Sequence, residues 1–221
     1  MEKRIFSHRG RITGKERGNL ISDIFSEKVK SIGNVEIDIR KTKDGRYILF
    51  HDDCIYHKDV YYKISEKTYF EILDIALQNS FSINTIEDIL ENKELFIDFE
   101  LKERGYELEL VQIILENLNV DNFIITSFHW DVIKNIRKQF PNVKTGILIE
   151  NEDEYNEFIK LMNNNEEFFD YLLPSLVLYR KMPVELKKKS NFIIWTVNNQ
   201  QDMEKLKEDP FITGIITDII S

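Results

Sequence analysis

Short apolar runs rich in Ile, Phe and Val recur along the chain, separated by longer stretches in which apolar residues return every three or four positions. The short runs are RIFSH (4–8), VEIDI (35–39), LFIDFEL (95–101), FIITSF (123–128), TGILIE (145–150), YLLPSL (171–176), FIIWTVN (192–198) and GIITDI (214–219). Each ends in polar or turn residues and reads as a strand. RYILFH (46–51) follows an Asp44-Gly45 turn signal and is expected to fold back as a hairpin on the strand before it. Amphipathic helices are expected over 105–119, 130–140, 153–165 and 200–208. Leaving out the hairpin strand, eight strands remain, most of them followed by a helix. The fold class this predicts is α/β, a (β/α)8 TIM barrel. An open doubly wound sheet is the alternative, but the chain has no glycine-rich phosphate loop.

Eight glycines and four prolines are scattered, and no linker-like segment divides the 221 residues, so one domain over 1–221 is expected. The net charge of −9 disfavours a nucleic acid or an anionic membrane surface as main partner. It does not disfavour a small anionic substrate, because a local cation inverts the field within one pocket. Cys54 is the single cysteine and has no internal disulfide partner. The first residues carry no signal-peptide core and no window reaches membrane-spanning length, which makes the cytoplasm the default expectation and excludes stable membrane insertion. Oligomeric state is not legible.

A barrel places its chemistry at the C-terminal ends of its strands. Period two puts Glu36, Asp38 and Arg40 on one face of the second strand. In the third, Asp98, Glu100 and Lys102 oppose Ile97, Phe99 and Leu101. Glu36 and Asp38 alone would be a solvated strand face, and Glu100 with Lys102 a surface ion pair. Converging in one barrel mouth, three carboxylates must share protons or bind a cation. No Cys–His spacing suggests zinc, and hard oxygen donors suit Mg²⁺ or Ca²⁺. Asp98 is expected deeper in the lumen, in a supporting or structural role. His8 and His51 each follow an apolar run and precede a charged residue, whereas His57 and His129 read as structural histidines.

In order along the chain, SHRG (7–10), VEIDIRKTKDGRYILFHDD (35–53), INTIEDIL (83–90), the Glu100-x-Lys102 pair, TSF (126–128), WTVN (195–198) and GIITD (214–218) resemble the motifs of the glycerophosphodiester phosphodiesterase family of phospholipase-C-like TIM barrels. The resemblance covers nearly the whole chain. It implies a divalent cation, Mg²⁺ or Ca²⁺, held by Glu36, Asp38 and Glu100, with His8 and His51 as general acid and base. Arg9 and Lys102 would hold the phosphate oxygens, and Phe128 and Trp195 would pack on the alcohol or simply fill the barrel mouth. The implied reaction hydrolyses a small-molecule glycerophosphodiester to glycerol phosphate and an alcohol. The alternatives are a lyase of the phospholipase-C or sphingomyelinase-D type that releases a cyclic phosphate, and a phosphodiesterase acting on a sugar or nucleotide that carries glycerol phosphate. A binder without turnover would not need the two histidines.

The chain departs from the family pattern after SHRG, where RITGKERGNLISDIF separates Glu16 from Asn19. Glu16 is therefore given no family role, and Asn19 is read as the cap of a helix over 20–25. The 49 positions between His51 and Glu100 leave no room for a large inserted domain, so a shallow, open site is expected.

Overall fold

The computed structural model describes residues 3–91, 93–164 and 168–220. Eleven strands occur among them: β1 (Arg4–His8), β2 (Asn34–Lys41), β3 (Tyr47–Leu49), β4 (Cys54–His57), β5 (Val60–Lys63), β6 (Phe96–Leu101), β7 (Phe123–Ser127), β8 (Thr145–Ile149), β9 (Tyr171–Pro174), β10 (Asn191–Ile194) and β11 (Ile212–Thr217). Eight of them are parallel and follow one another around a closed ring, β1-β2-β6-β7-β8-β9-β10-β11, with β11 pairing back to β1. The TIM barrel expected from the strand–helix alternation is therefore the observed fold. Strand β3 pairs antiparallel with β2 outside the ring, as the Asp-Gly turn predicted. The expected helices form over Glu107–Asn117, Trp130–Gln139, Glu152–Asn163 and Gln200–Glu208. The predicted end of the third, at 165, lies outside the described residues.

Alternation along the strands builds two cores. Val35, Ile37 and Ile39 on β2, with Ile97, Phe99 and Leu101 on β6, point outward and pack under the helices. Phe6, Ile124, Leu148, Leu173, Ile193 and Ile216 point inward and fill the lumen. Gly146 on β8 is small for a packing reason: a Cβ there would lie 2.4 Å from Leu173 Cδ1 and 3.1 Å from Thr126 Cγ2. The lumen is thus plugged with hydrocarbon below and opens upward into polar side chains.

Between β3 and β6 lies a compact insertion to which the periodicity assigned no elements. Strands β4 and β5 form a hairpin with Tyr56 opposite Tyr61, turned by Lys58 and Asp59 at φ 49° and 62°, the conformation of a type I′ turn. A helix over Tyr69–Gln78 follows, closed by a capping box between Thr68 and Glu71. Ile48, Phe50, Ile55, Ile64, Ile72, Ile75, Ala76 and Ile83 give this unit its own small core. There is no large inserted domain, and Tyr56 and Tyr61 of this small insertion line a cavity at the barrel mouth beside His51, Glu100 and Lys102.

Candidate active site

Barrel closure brings the sequence-predicted residues to one place. Register pairs His8 with Glu36, Glu36 with Asp98, and Asp38 with Glu100 across three adjacent strands. Period two then turns Glu36, Asp38, Asp98 and Glu100 into the lumen together. His8, Arg9, Glu36, His51, Asp98, Glu100, Lys102, Phe128 and Trp195 line one cavity of about 310 Å³ at the C-terminal end of the barrel. Asp38 lies fully buried beneath it.

Glu36, Asp38 and Glu100 each offer a carboxylate oxygen within 4.8 Å of the others, and all three are buried. Lys102 Nζ lies 2.9 Å from Asp38 Oδ1 and 2.5 Å from Glu100 Oε1, and Arg9 Nε lies 3.1 Å from Asp38 Oδ2. Three carboxylates thus face two cationic side chains, which leaves one negative charge over. Glu36 Oε1 accepts no hydrogen bond despite being buried. Burial, then repulsion from Asp38 and Glu100, raises the Glu36 carboxyl well above its ordinary range. Burial also raises Glu100, although Lys102 opposes it. For Asp38, burial favours the neutral acid but is outweighed by Lys102, Arg9 and His51, which hold it at about 2. A buried, oxygen-only donor set with more carboxylates than cationic side chains and an unpartnered oxygen on Glu36 fits a hard divalent cation.

Each histidine is anchored through Nδ1. His8 Nδ1 lies 2.7 Å from Asp218 Oδ1, and its Nε2 lies 3.7 Å from Glu36 Oε2. His51 Nδ1 lies 2.8 Å from Asp52 Oδ1. Both rings therefore turn Nε2 away from the anchoring carboxylate. Burial lowers both imidazoles below 6.5, with Asp218 opposing the shift for His8 and Asp38 for His51. Asp218 is itself fixed from two sides: Arg11 Nη1 donates to Oδ1 at 2.9 Å and Asn198 Nδ2 to Oδ2 at 2.7 Å. Arg40, which shares the β2 face with the acids, donates from Nε and Nη2 to the His51 carbonyl at 2.8 and 2.7 Å, pinning the loop that carries this histidine.

Asn19 does not cap a helix with its side chain. Its Nδ2 donates to Asp38 Oδ2 at 2.8 Å, and its Oδ1 accepts from Asp38 N at 3.1 Å. The loop 9–19 reaches this position by left-handed turns at Arg9 (φ 58°) and Asn19 (φ 60°), with Gly18 packed against Arg9 where a Cβ would sit 2.7 Å from Arg9 Cβ. Glu16, given no role from sequence, closes a local turn by accepting from Ile12 N, Thr13 N and Thr13 Oγ1. Asp98 accepts from Thr126 Oγ1 at 2.7 Å, and its other oxygen has no partner. Burial, opposed by the Thr126 hydrogen bond but reinforced by Glu100 and Asp38, pushes it up to about 8. His57 is bound to Asn79 and Gln78 within the insertion, and His129 Nε2 sits 3.2 Å from the Lys102 carbonyl. Phe128 and Trp195 meet edge to face with centroids 5.6 Å apart, and Trp195 Nε1 donates to the Leu173 carbonyl at 2.7 Å.

Asp218, Asn198, Arg11 and Asp52 are site residues to which the sequence assigned no role, and Asn19 binds Asp38 in place of the helix-capping role expected of it. For Asp52 and Asp218, adjacency to His51 and position in the final Thr-Asp were the available signals. For Asn19 and Arg11 there was none.

Fold and site together define a closed parallel barrel with a carboxylate-rich, oxygen-donor centre flanked by two aspartate-anchored histidines. The profile of the Glycerophosphoryl diester phosphodiesterase family matches residues 27–221. The chain belongs to this family. It is 24% identical over 208 residues to a protein of Caldanaerobacter subterraneus subsp. tengcongensis named glycerophosphodiester phosphodiesterase, covering 83% of this chain and 81% of that one. Its fold matches the glycerophosphodiester phosphodiesterase of Thermotoga maritima with a TM-score of 0.81 at 23% identity, over 100% of this chain and 96% of that one. It also matches a phosphodiesterase of Oleispira antarctica solved with the product sn-glycerol-3-phosphate, with a TM-score of 0.76 at 17% identity, over 98% and 93% of the two chains. Among the described residues, no helix is long and apolar enough to cross a membrane.

Proposed function

We propose that this chain, acting as one barrel domain over 1–221, hydrolyses a glycerophosphodiester to glycerol phosphate and an alcohol. Family membership supports the reaction class, and one observation carries the mechanism. Two histidines with anchored Nδ1 atoms line the cavity in which three buried carboxylates converge.

Glu36, Asp38 and Glu100 are the residues that would hold a divalent cation, Mg²⁺ or Ca²⁺. Bound there, it would supply Lewis-acid stabilisation of the charge that builds on phosphorus-bound oxygen. Arg9 and Lys102 add the same kind of stabilisation from the protein and orient the phosphate. We assign His8, deeper and beside Glu36, as the base that takes a proton from the attacking oxygen at Nε2. His51 is on the rim, with its side chain 40% exposed, where a departing alcohol can leave, and it is assigned as the acid that protonates that alcohol. Asp218 and Asp52 hold each ring with Nε2 toward the phosphate. Phe128 and Trp195 pack against the glycerol carbons and exclude water from that side.

The experiment is Glu36→Gln, which keeps the side chain's shape and removes its charge. Calorimetric titration with Mg²⁺ and Ca²⁺ should show binding to the wild type that the variant loses, and cation-dependent turnover should disappear with it. Wild-type turnover in the variant would remove Glu36 from the centre.

A further inference from the structure

We propose that Arg17 is a positioning residue that sets the two histidines relative to each other, its side chain steadying the His51 arm and its carbonyl the His8 arm. This rests on the phosphodiesterase reading above and adds a residue to it. Arg17 lies in the segment after SHRG that departs from the family pattern, so no family role covers it.

The Arg17 guanidinium lies 3.3 Å from the centroid of the Phe81 ring and 4.6 Å from that of Phe50. The two rings stack, 6.3 Å apart and 22° from parallel, and Phe50 is buried. A guanidinium over aromatic faces is attracted by their quadrupoles, which fixes where this end of the loop lies. Phe50 is the residue before His51, and its N–H donates to the Asp38 carbonyl at 3.0 Å. Arg17 therefore grips the short link between the most buried acid and the rim histidine. Its Nη1 also donates to the Ser82 carbonyl at 3.4 Å, and Ile21 N donates to Asn84 Oδ1 at 3.1 Å. Leu49 N donates in turn to the Asn84 carbonyl at 2.8 Å, so the loop after β1 is tied to β3 as well.

The backbone of the same residue serves the other histidine. The Arg17 carbonyl accepts from Arg11 Nη2 at 3.1 Å, and Arg11 Nη1 donates to Asp218 Oδ1 at 2.9 Å, the oxygen that anchors His8. Two residues further on, Asn19 clasps Asp38. Partial removal from water lowers the guanidinium to about 10, and the Asp52 carboxylate opposes that loss. A fixed positive charge there favours the ionised Asp52 that holds His51 Nδ1. Removing the side chain frees the His51 ring while leaving the carbonyl, and with it the His8 arm, in place.

Arg17→Met keeps the stem and removes the charge and the planar head. Its kcat is compared on two diesters with divalent cation present: glycerophosphoglycerol, whose departing alcohol must be protonated, and the p-nitrophenyl diester of glycerol phosphate, whose phenolate leaves without a proton. The variant should lose roughly tenfold on the first, part of what a general acid contributes, and less than about twofold on the second. Added to His51→Ala, it should cost nothing more. Equal losses on both diesters, no loss on either, or a further loss in the His51→Ala background would overturn the proposal. A second measurement reads the His51 ring itself, by long-range ¹H–¹⁵N NMR at alkaline pH without substrate. The wild type should show one neutral tautomer with the proton on Nδ1, and Arg17→Met a mixture of two. Unchanged His51 signals would again overturn it. If the wild type turns over neither diester, the phosphodiesterase reading fails, and the NMR measurement still decides the role of Arg17.

Discussion

Asn19 and Asp38 clasp each other through two hydrogen bonds, one from Asn19 Nδ2 to the carboxylate and one from the Asp38 backbone N–H to Asn19 Oδ1. The pair joins the loop after β1 to the most buried of the three acids. Asn19→Ala leaves the Asp38 N–H buried without its acceptor and Asp38 Oδ2 with Arg9 alone, and also puts alanine at φ 60°. Together these should destabilise the fold by about 2–4 kcal/mol. The variant should also bind cation roughly 10–100-fold more weakly, as loss of a supporting hydrogen bond to a ligand does. Thermal melts and calorimetry on the same samples check both effects. An unchanged affinity would show that Asp38 does not depend on this clasp.

Asp218 should act only through His8. Asp218→Asn keeps the shape but changes the tautomer and orientation that Nδ1 imposes on the ring. We expect kcat to fall towards that of His8→Ala, which should lie about 10²–10⁴ below wild type, while KM moves little. The double variant should be no worse than His8→Ala alone. Additive losses would mean that Asp218 contributes by another route.

Cation binding should release protons. With no cation, burial and repulsion from neighbouring carboxylates hold Glu36 and Glu100 above the ordinary carboxylate range, so both give up their protons at a higher pH than a free glutamate does. A cation needs them ionised. Affinity for Mg²⁺ or Ca²⁺ should therefore rise with pH, and titrations in buffers of different ionisation enthalpy should show net proton release. Affinity that stays flat or falls as pH rises would contradict the assignment of these acids.

Without added cation, stability should fall as pH rises. A carboxyl whose folded-state pKa exceeds its unfolded value binds more protons in the native state, so its contribution is lost on deprotonation. For Asp98 that window runs from its ordinary 3.8 up to about 8. Urea midpoints measured across it should decline for the wild type and flatten for Asp98→Asn. A parallel decline in both would assign the effect elsewhere.

The lumen below the site should tolerate little added volume. Gly146→Ala places a methyl group where Leu173 and Thr126 already meet, and an overpacking cost of about 1–3 kcal/mol is expected from chemical denaturation. A neutral outcome would mean that the plug has slack.

Much of this site was legible before the fold because period two is unforgiving. Once Val35, Ile37 and Ile39 point outward, Glu36 and Asp38 have to point inward, and the same holds for Asp98 and Glu100 against Ile97 and Phe99. The rest depended on long-range closure or on loop conformation. Asp218 reaches His8 only because β11 pairs with β1 across nearly the whole chain length. Asn19 arrives through left-handed turns that no periodicity encodes. The hairpin of the insertion escaped because its turn is Lys58-Asp59 rather than an Asn-Gly or Asp-Gly pair, and because its strands are only four residues each.

The central claim is that this centre hydrolyses a glycerophosphodiester with the help of a divalent cation. ³¹P NMR of chelator-stripped protein tests it most directly, with glycerophosphocholine, glycerophosphoethanolamine, glycerophosphoglycerol and glycerophosphoinositol followed with Mg²⁺, with Ca²⁺ and with neither. The expected result is a glycerol phosphate resonance that grows only when cation is present. Turnover that is equally fast without cation, or a cyclic phosphate that accumulates and persists, would contradict the account.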